Sequence, residues 1–103
     1  MPRTYSEAFL IELHKANPNK VGTALALACV KANLPAKYVA VALEVTRMTV
    51  FSWFRGKPIR HKNTLKIETF TDLIESDIDK GILPAKNTAA AKAYIEEMLG
   101  RKI

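Results

Sequence analysis

The stretch Leu34 to Gly56, LPAKYVAVALEVTRMTVFSWFRG, reads as two short helices joined by a tight turn, with apolar residues spaced to hold them at an angle. Asn33 can cap the first helix, Pro35 suits its first turn, and Tyr38, Val39, Ala42 and Leu43 recur at helical spacing. The turn falls at Glu44-Val45. Thr46 can cap the second helix, Val50 and Trp53 lie three apart as inward anchors, and Gly56 ends it through its access to left-handed backbone. Ala40 is small where the two helices approach most closely.

Working outward from this pair, the pattern predicts an all-α fold of about six helices. Thr4 and Glu7 have capping-box spacing ahead of an apolar stripe of Tyr5, Phe9, Leu13 and Ala16, on a helix ending near Asn17-Pro18. Asn19 then caps a helix over Lys20 to Ala32, rich in Ala and Leu and apolar on most faces, as a central buried helix should be. Beyond the loop Lys57 to Lys62, a long helix over Thr64 to Lys80 turns Ile67, Phe70, Ile74 and Ile78 inward and shows an acidic stripe of Glu68, Asp72, Glu75 and Asp79. Asn87 caps a last helix over Thr88 to Leu99 whose Ala91, Tyr94, Ile95 and Met98 share a face, and Gly100 stops it. No segment alternates like a strand, and there is no internal repeat or low-complexity tract.

With 103 residues, 49% of them hydrophobic, the chain fits a single domain with one core, and a lone Cys29 in an apolar stretch points to a reducing, cytoplasmic setting. Val21 to Val30 resembles a signal-peptide core only superficially, because Glu7 and Glu12 precede it and Ala26 stands where a lipidation box prefers a larger aliphatic residue. No apolar run approaches the ~20 residues that span a bilayer, so no membrane is expected. The net charge is +6 and its distribution is uneven. Arg47 to Lys66 holds six cations and no acid, whereas Ile67 to Asp79 holds five acids and no cation. The basic block coincides with the second helix of the pair and the loop after it, which suits a polyanion.

Ala40, Val45, Thr46-Arg47, Val50, Trp53 and the closing Arg55-Gly56-Lys57 together resemble the lambda-repressor-like family of Cro and xenobiotic-response-element regulators. The resemblance is strongest over Leu34 to Gly56 and extends over a core of about 20–81, leaving extra helices at about 4–16 and 88–99. It implies a positioning helix followed by a recognition helix that enters the major groove of double-stranded DNA. Two positions depart from the family: Glu44 stands at a turn position usually held by Gly, and Ala36 where many members carry a phosphate-contacting Gln. A left-handed residue with a side chain costs on the order of 1 kcal/mol at the first.

With Val50 and Trp53 inward, the opposite face shows Arg47, Met48 and Ser52, with Thr49 at its edge, and the resemblance makes these the base-contacting residues. Arg47 would pair bidentately with guanine O6 and N7, Met48 would pack on a thymine methyl, and Ser52 would bond donor or acceptor edges. Thr46 at the helix start, with Arg55, Lys57, Arg60 and Lys62 beyond its end, would contact phosphate and supply salt-dependent affinity. His61 reads equally as a phosphate contact when protonated or as an exposed loop residue. Phe51 and Phe54 occupy positions usually polar in the family, so something apolar should cover them: the first helix, the last helix or a second subunit. The first and last helices are also the candidates for a homodimer interface.

No Gly-rich phosphate loop, no second Cys and no metal-ligand spacing of the two His is present, so no catalytic residue, cofactor or metal is expected. Three functions are compatible with these residues: a small phage-type transcriptional regulator, a DNA-organising or DNA-packaging structural protein with weak sequence preference, and a helix-turn-helix module repurposed for protein-protein inhibition.

Overall fold

The computed structural model describes residues 5–15 and 20–103. The caps and helix ends expected at Thr4, Ala16, Asn17-Pro18 and Asn19 lie outside the described residues. Within them the fold is all-α, with six helices and no strand: α1 Glu7–Lys15, α2 Val21–Ala32, α3 Ala36–Leu43, α4 Arg47–Phe54, α5 His61–Asp79 and α6 Thr88–Leu99.

The Ala-rich composition of α2 lets neighbours approach it from several sides. Gly22, Thr23, Leu25, Ala26, Ala28, Cys29 and Ala32 are all buried there, and α5, α4 and α1 pack around it. From α5, Ile67, Phe70 and Ile74 face this core, each such side chain contributing roughly 1.5–3 kcal/mol by leaving water. Cys29 is fully buried as a free thiol, and burial pushes its pKa well above the ordinary thiol range, so it stays protonated. The closest approach is at Gly22, where a Cβ would stand 2.2 Å from the Trp53 carbonyl oxygen. Only glycine lets the first turn of α2 touch the last turn of α4.

Three consecutive helices end in the same way. At Asn33, Glu44 and Gly56 the backbone is left-handed, with φ of 56°, 59° and 87°. In each case the next amide donates to the carbonyl five residues back: Leu34 to Cys29, Val45 to Ala40 and Lys57 to Ser52. The strained turn expected at Glu44 is therefore present, held by closing bonds that its side chain does not make.

Two expectations need correction. Asn33 does not cap α3. It closes α2, and its Nδ2 donates to the Ala85 carbonyl at 2.7 Å while the Ala85 amide donates to Ala32, tying the α5–α6 connection to the end of α2. Pro35 takes the N-cap position of α3, without a side-chain bond. The long helix α5 also begins earlier than expected, at His61 rather than Thr64, so that His61 and Lys62 form its first turn and Arg60 its N-cap. The other caps fall where expected: Thr46 Oγ1 accepts from the Thr49 amide at 3.1 Å, and Asn87 Oδ1 from the Ala90 amide at 2.8 Å.

Candidate nucleic-acid interface

The sequence of α4, RMTVFSWF, is not cleanly amphipathic, because two apolar surfaces meet it. Val50 and Trp53 are buried on the side of α2 and α3. Phe54, buried, and Phe51, half-buried, turn toward α1, where Phe9 lies 6.2 Å from the Phe51 ring and 5.9 Å from the Phe54 ring, centroid to centroid. Tyr5 stacks on Phe9 at 5.3 Å and meets Phe54 at 6.3 Å. The cover for both phenylalanines is thus the first helix together with Tyr5, two residues ahead of it. The Tyr5 hydroxyl donates to the Leu34 carbonyl at 2.5 Å, and burial raises its pKa far above the ordinary phenol value, keeping that donor in place.

What remains of α4 is a narrow outer side. Arg47 is exposed and Met48 is 81% exposed, a degree uncommon for a large apolar residue without a partner. Ser52, one turn on, is half-buried and its hydroxyl donates to the Met48 carbonyl at 3.0 Å, which leaves its oxygen lone pairs as the outward group. Thr49 is half-buried, and its hydroxyl shares a 2.8 Å hydrogen bond with that of exposed Thr46. This local pairing stiffens the start of α4, where the first amides point out of the helix end. Arg47, Met48 and Ser52 therefore share one side, with Thr46 and Thr49 at its N-terminal rim.

Arg55, Lys57 and Arg60 are exposed along the segment between α4 and α5, and Lys62 is exposed on the first turn of α5. Arg60, His61 and Lys62 open a helix that has no acid in its first turn and no side-chain cap. Cations at that end oppose the helix dipole by roughly 0.3–1 kcal/mol each, a local cost that an approaching polyanion would reverse. One cation escaped the sequence reading. Lys20, at the N-cap of α2, places its Nζ 3.6 Å from where a Cβ on Gly56 would lie, above the turn that ends α4. It borders a groove of about 480 Å³ with Val21 on one side and Lys57, Ile59 and Thr64 on the other. Nothing local marked it, since it lies 36 positions before Gly56 and meets it only through the α2–α4 crossing. Ala36 is buried, but Lys37 beside it is exposed and puts a cation at the same end of α3.

Among the described residues no group of three His, Cys, Asp or Glu is close enough to hold a metal ion, and no helix is long and apolar enough to cross a membrane. No protein-family model, curated protein or solved structure matches the chain.

Proposed function

We propose that this chain is a sequence-specific double-stranded DNA-binding protein of the lambda-repressor-like class, a small phage-type transcriptional regulator that reads the major groove with the helix from Arg47 to Arg55. The observation that carries this reading is the division of α4: Val50, Trp53 and Phe54 are fixed in the core, while Arg47 and Met48 stand out at the N-terminal end. A groove-reading helix needs that geometry, with its N-terminal side chains at base edges and its far side immobile. Arg47 is the reading residue with most to contribute, Met48 and Ser52 are secondary, and Thr46, Lys20, Arg55, Lys57, Arg60 and Lys62 hold the phosphates. The role is binding, without catalytic residue, cofactor or metal.

A DNA-organising role is the second reading, favoured by the ratio of one cation on the reading side to the many around it. The protein-inhibition reading rests on Ala36 and Glu44 in place of the family's Gln and Gly and on the pair Phe51 and Phe54; the two phenylalanines have partners in Tyr5 and Phe9 of the same chain, which weakens that part of its basis. Selecting bound sequences from a random duplex pool at physiological salt, then titrating the winner against random DNA, tests all three. A regulator should prefer the winner by at least about 10³-fold. Equal affinities would replace it with the organising role, and absence of salt-sensitive DNA binding would overturn both.

A further inference from the structure

The end of the molecule remote from α4 has the opposite chemistry. Up to Lys66 the chain carries eleven cations against three acids; after it, five cations against seven acids. At this end the last turns of α5 and α6 converge on an open groove of about 350 Å³, lined by Leu73, Asp77, Ile82, Tyr94, Glu97 and Met98. Leu73 is 43% and Ile82 58% exposed, so two of the large apolar residues left in water meet in one depression, with half-buried Tyr94 and Met98 completing it. The rim is negative for two reasons. Asp77 and Glu97 supply carboxylates, and the C-terminal halves of both helices line the groove, where the helix dipoles add negative potential. The Tyr94 hydroxyl donates to Asp77 Oδ2, which anchors the carboxylate and leaves its other oxygen able to accept from a cation.

We propose that this α5–α6 groove docks a cationic amphipathic helix of a protein partner, with two apolar anchors one turn apart seated against Leu73, Ile82, Tyr94 and Met98 and flanking Lys or Arg on Asp77 and Glu97. The charge of the rim selects the occupant. Nucleic acid is repelled by it. A second copy docked symmetrically would set Asp77 and Glu97, and the same two helix ends, against their own images. A segment that brings apolar anchors and opposite charge satisfies both parts of the groove, in the helix-in-groove manner. Along α5, Asp77 lies fifteen residues from Lys62, about 22 Å at 1.5 Å per residue, most of the 32 × 30 × 25 Å extent. The groove is therefore accessible whether or not the basic end is occupied, and the proposal stands independently of what binds there.

The test is fluorescence anisotropy of a labelled helical peptide of about 16 residues, Ala-based, with two Leu one turn apart flanked by Lys. It should bind the whole protein saturably. A peptide with Gln for Leu, or Glu for Lys, should bind at least about tenfold more weakly. The variant Leu73→Ser/Ile82→Ser should lose a similar factor for the Leu-Lys peptide with unchanged binding of random duplex DNA, and Glu97→Lys, at an exposed position, should lose it without any change in the apolar surface. Equal binding of the Gln peptide would reduce the groove to general charge attraction and overturn the proposal, as would wild-type affinity in both variants. Sedimentation equilibrium closes the remaining case. A wild-type dimer that Leu73→Ser/Ile82→Ser dissolves would give the groove to a second copy instead.

Discussion

The inner and outer sides of α4 obey different rules. On the inner side the residues are enclosed by several neighbours at once: the Trp53 side chain is buried and its carbonyl lies against Gly22, and Phe54 meets Phe9, Tyr5 and Phe51. On the outer side Arg47 and Met48 are held only by their own helix. Substitution inside should therefore be read out as stability and substitution outside as binding, and mixed outcomes would show where the division fails.

The largest effect is expected inside. Trp53→Ala removes a buried aromatic and should cost about 3–5 kcal/mol, enough to unfold much of the population. Chemical denaturation monitored by circular dichroism measures it, and a wild-type midpoint with lost DNA binding would move Trp53 to the outer side. Next is Arg47→Ala, which should leave the melting curve unchanged because the residue is exposed and Ala favours helix, while lowering preference for the selected site by about 1–3 kcal/mol. Lys at this position should restore binding to random duplex better than specificity, since it lacks the planar fork. By contrast Lys57→Ala/Arg60→Ala should weaken all duplexes alike and lower the salt slope by roughly 0.9 per lost phosphate contact; an unchanged slope would remove the segment from the interface.

A smaller gain is expected at the turn between the two helices. Glu44→Gly relieves a left-handed residue at φ 59° and should stabilise by up to about 1 kcal/mol, less the extra freedom of the unfolded chain, raising Tm by no more than roughly 4–8 °C. A lower Tm would mean that the Glu44 side chain contributes more than its backbone costs.

The smallest effect in ordinary buffers is that of pH on the inner side. Cys29 and Tyr5 both have folded pKa values raised above their ordinary 9.0 and 10.0, chiefly by burial. Below pH 9 their contribution is complete. As pH rises past 9 the unfolded chain loses protons that the native state keeps, so stability should fall progressively, with Tyr5→Phe reducing the slope above pH 10. Stability that is flat to pH 11 would refute the burial of both groups.

Helix identity, the inward set Val50 and Trp53, the strained turn at Glu44 and the caps Thr46 and Asn87 were legible because each is a short-range signal. The misread positions are those where two short-range signals coincide or where packing overrides them. Asn favours both an N-cap and a left-handed helix end, and at Asn33 the choice is made by Ala85, 52 residues away. Arg60-His61-Lys62 is a poor helix start beside Asn63-Thr64, so local preference placed the boundary three residues late. Gly22 carried no visible message at all, since its use depends on the carbonyl of Trp53. At the candidate interface the exposed residues of α4 followed directly from its inner anchors. The cover of Phe51 and Phe54, and the position of Lys20, required knowing which helices cross.

Tyr5 spans a junction that neither α3 nor α4 contains. Its ring belongs to the aromatic group on α4, and its hydroxyl holds the carbonyl of Leu34, just ahead of α3. One residue thus fixes the scaffold of the pair from outside, like a brace fastened to both arms of a hinge. The orientation of the outer side of α4 becomes adjustable at a distance: changes at Tyr5 or Phe9 alter the pitch at which Arg47 is presented while the presenting residues stay the same. If the proposed role holds, variation divides its labour, with outer substitutions changing which bases are preferred and substitutions in the brace changing how sharply any preference is expressed.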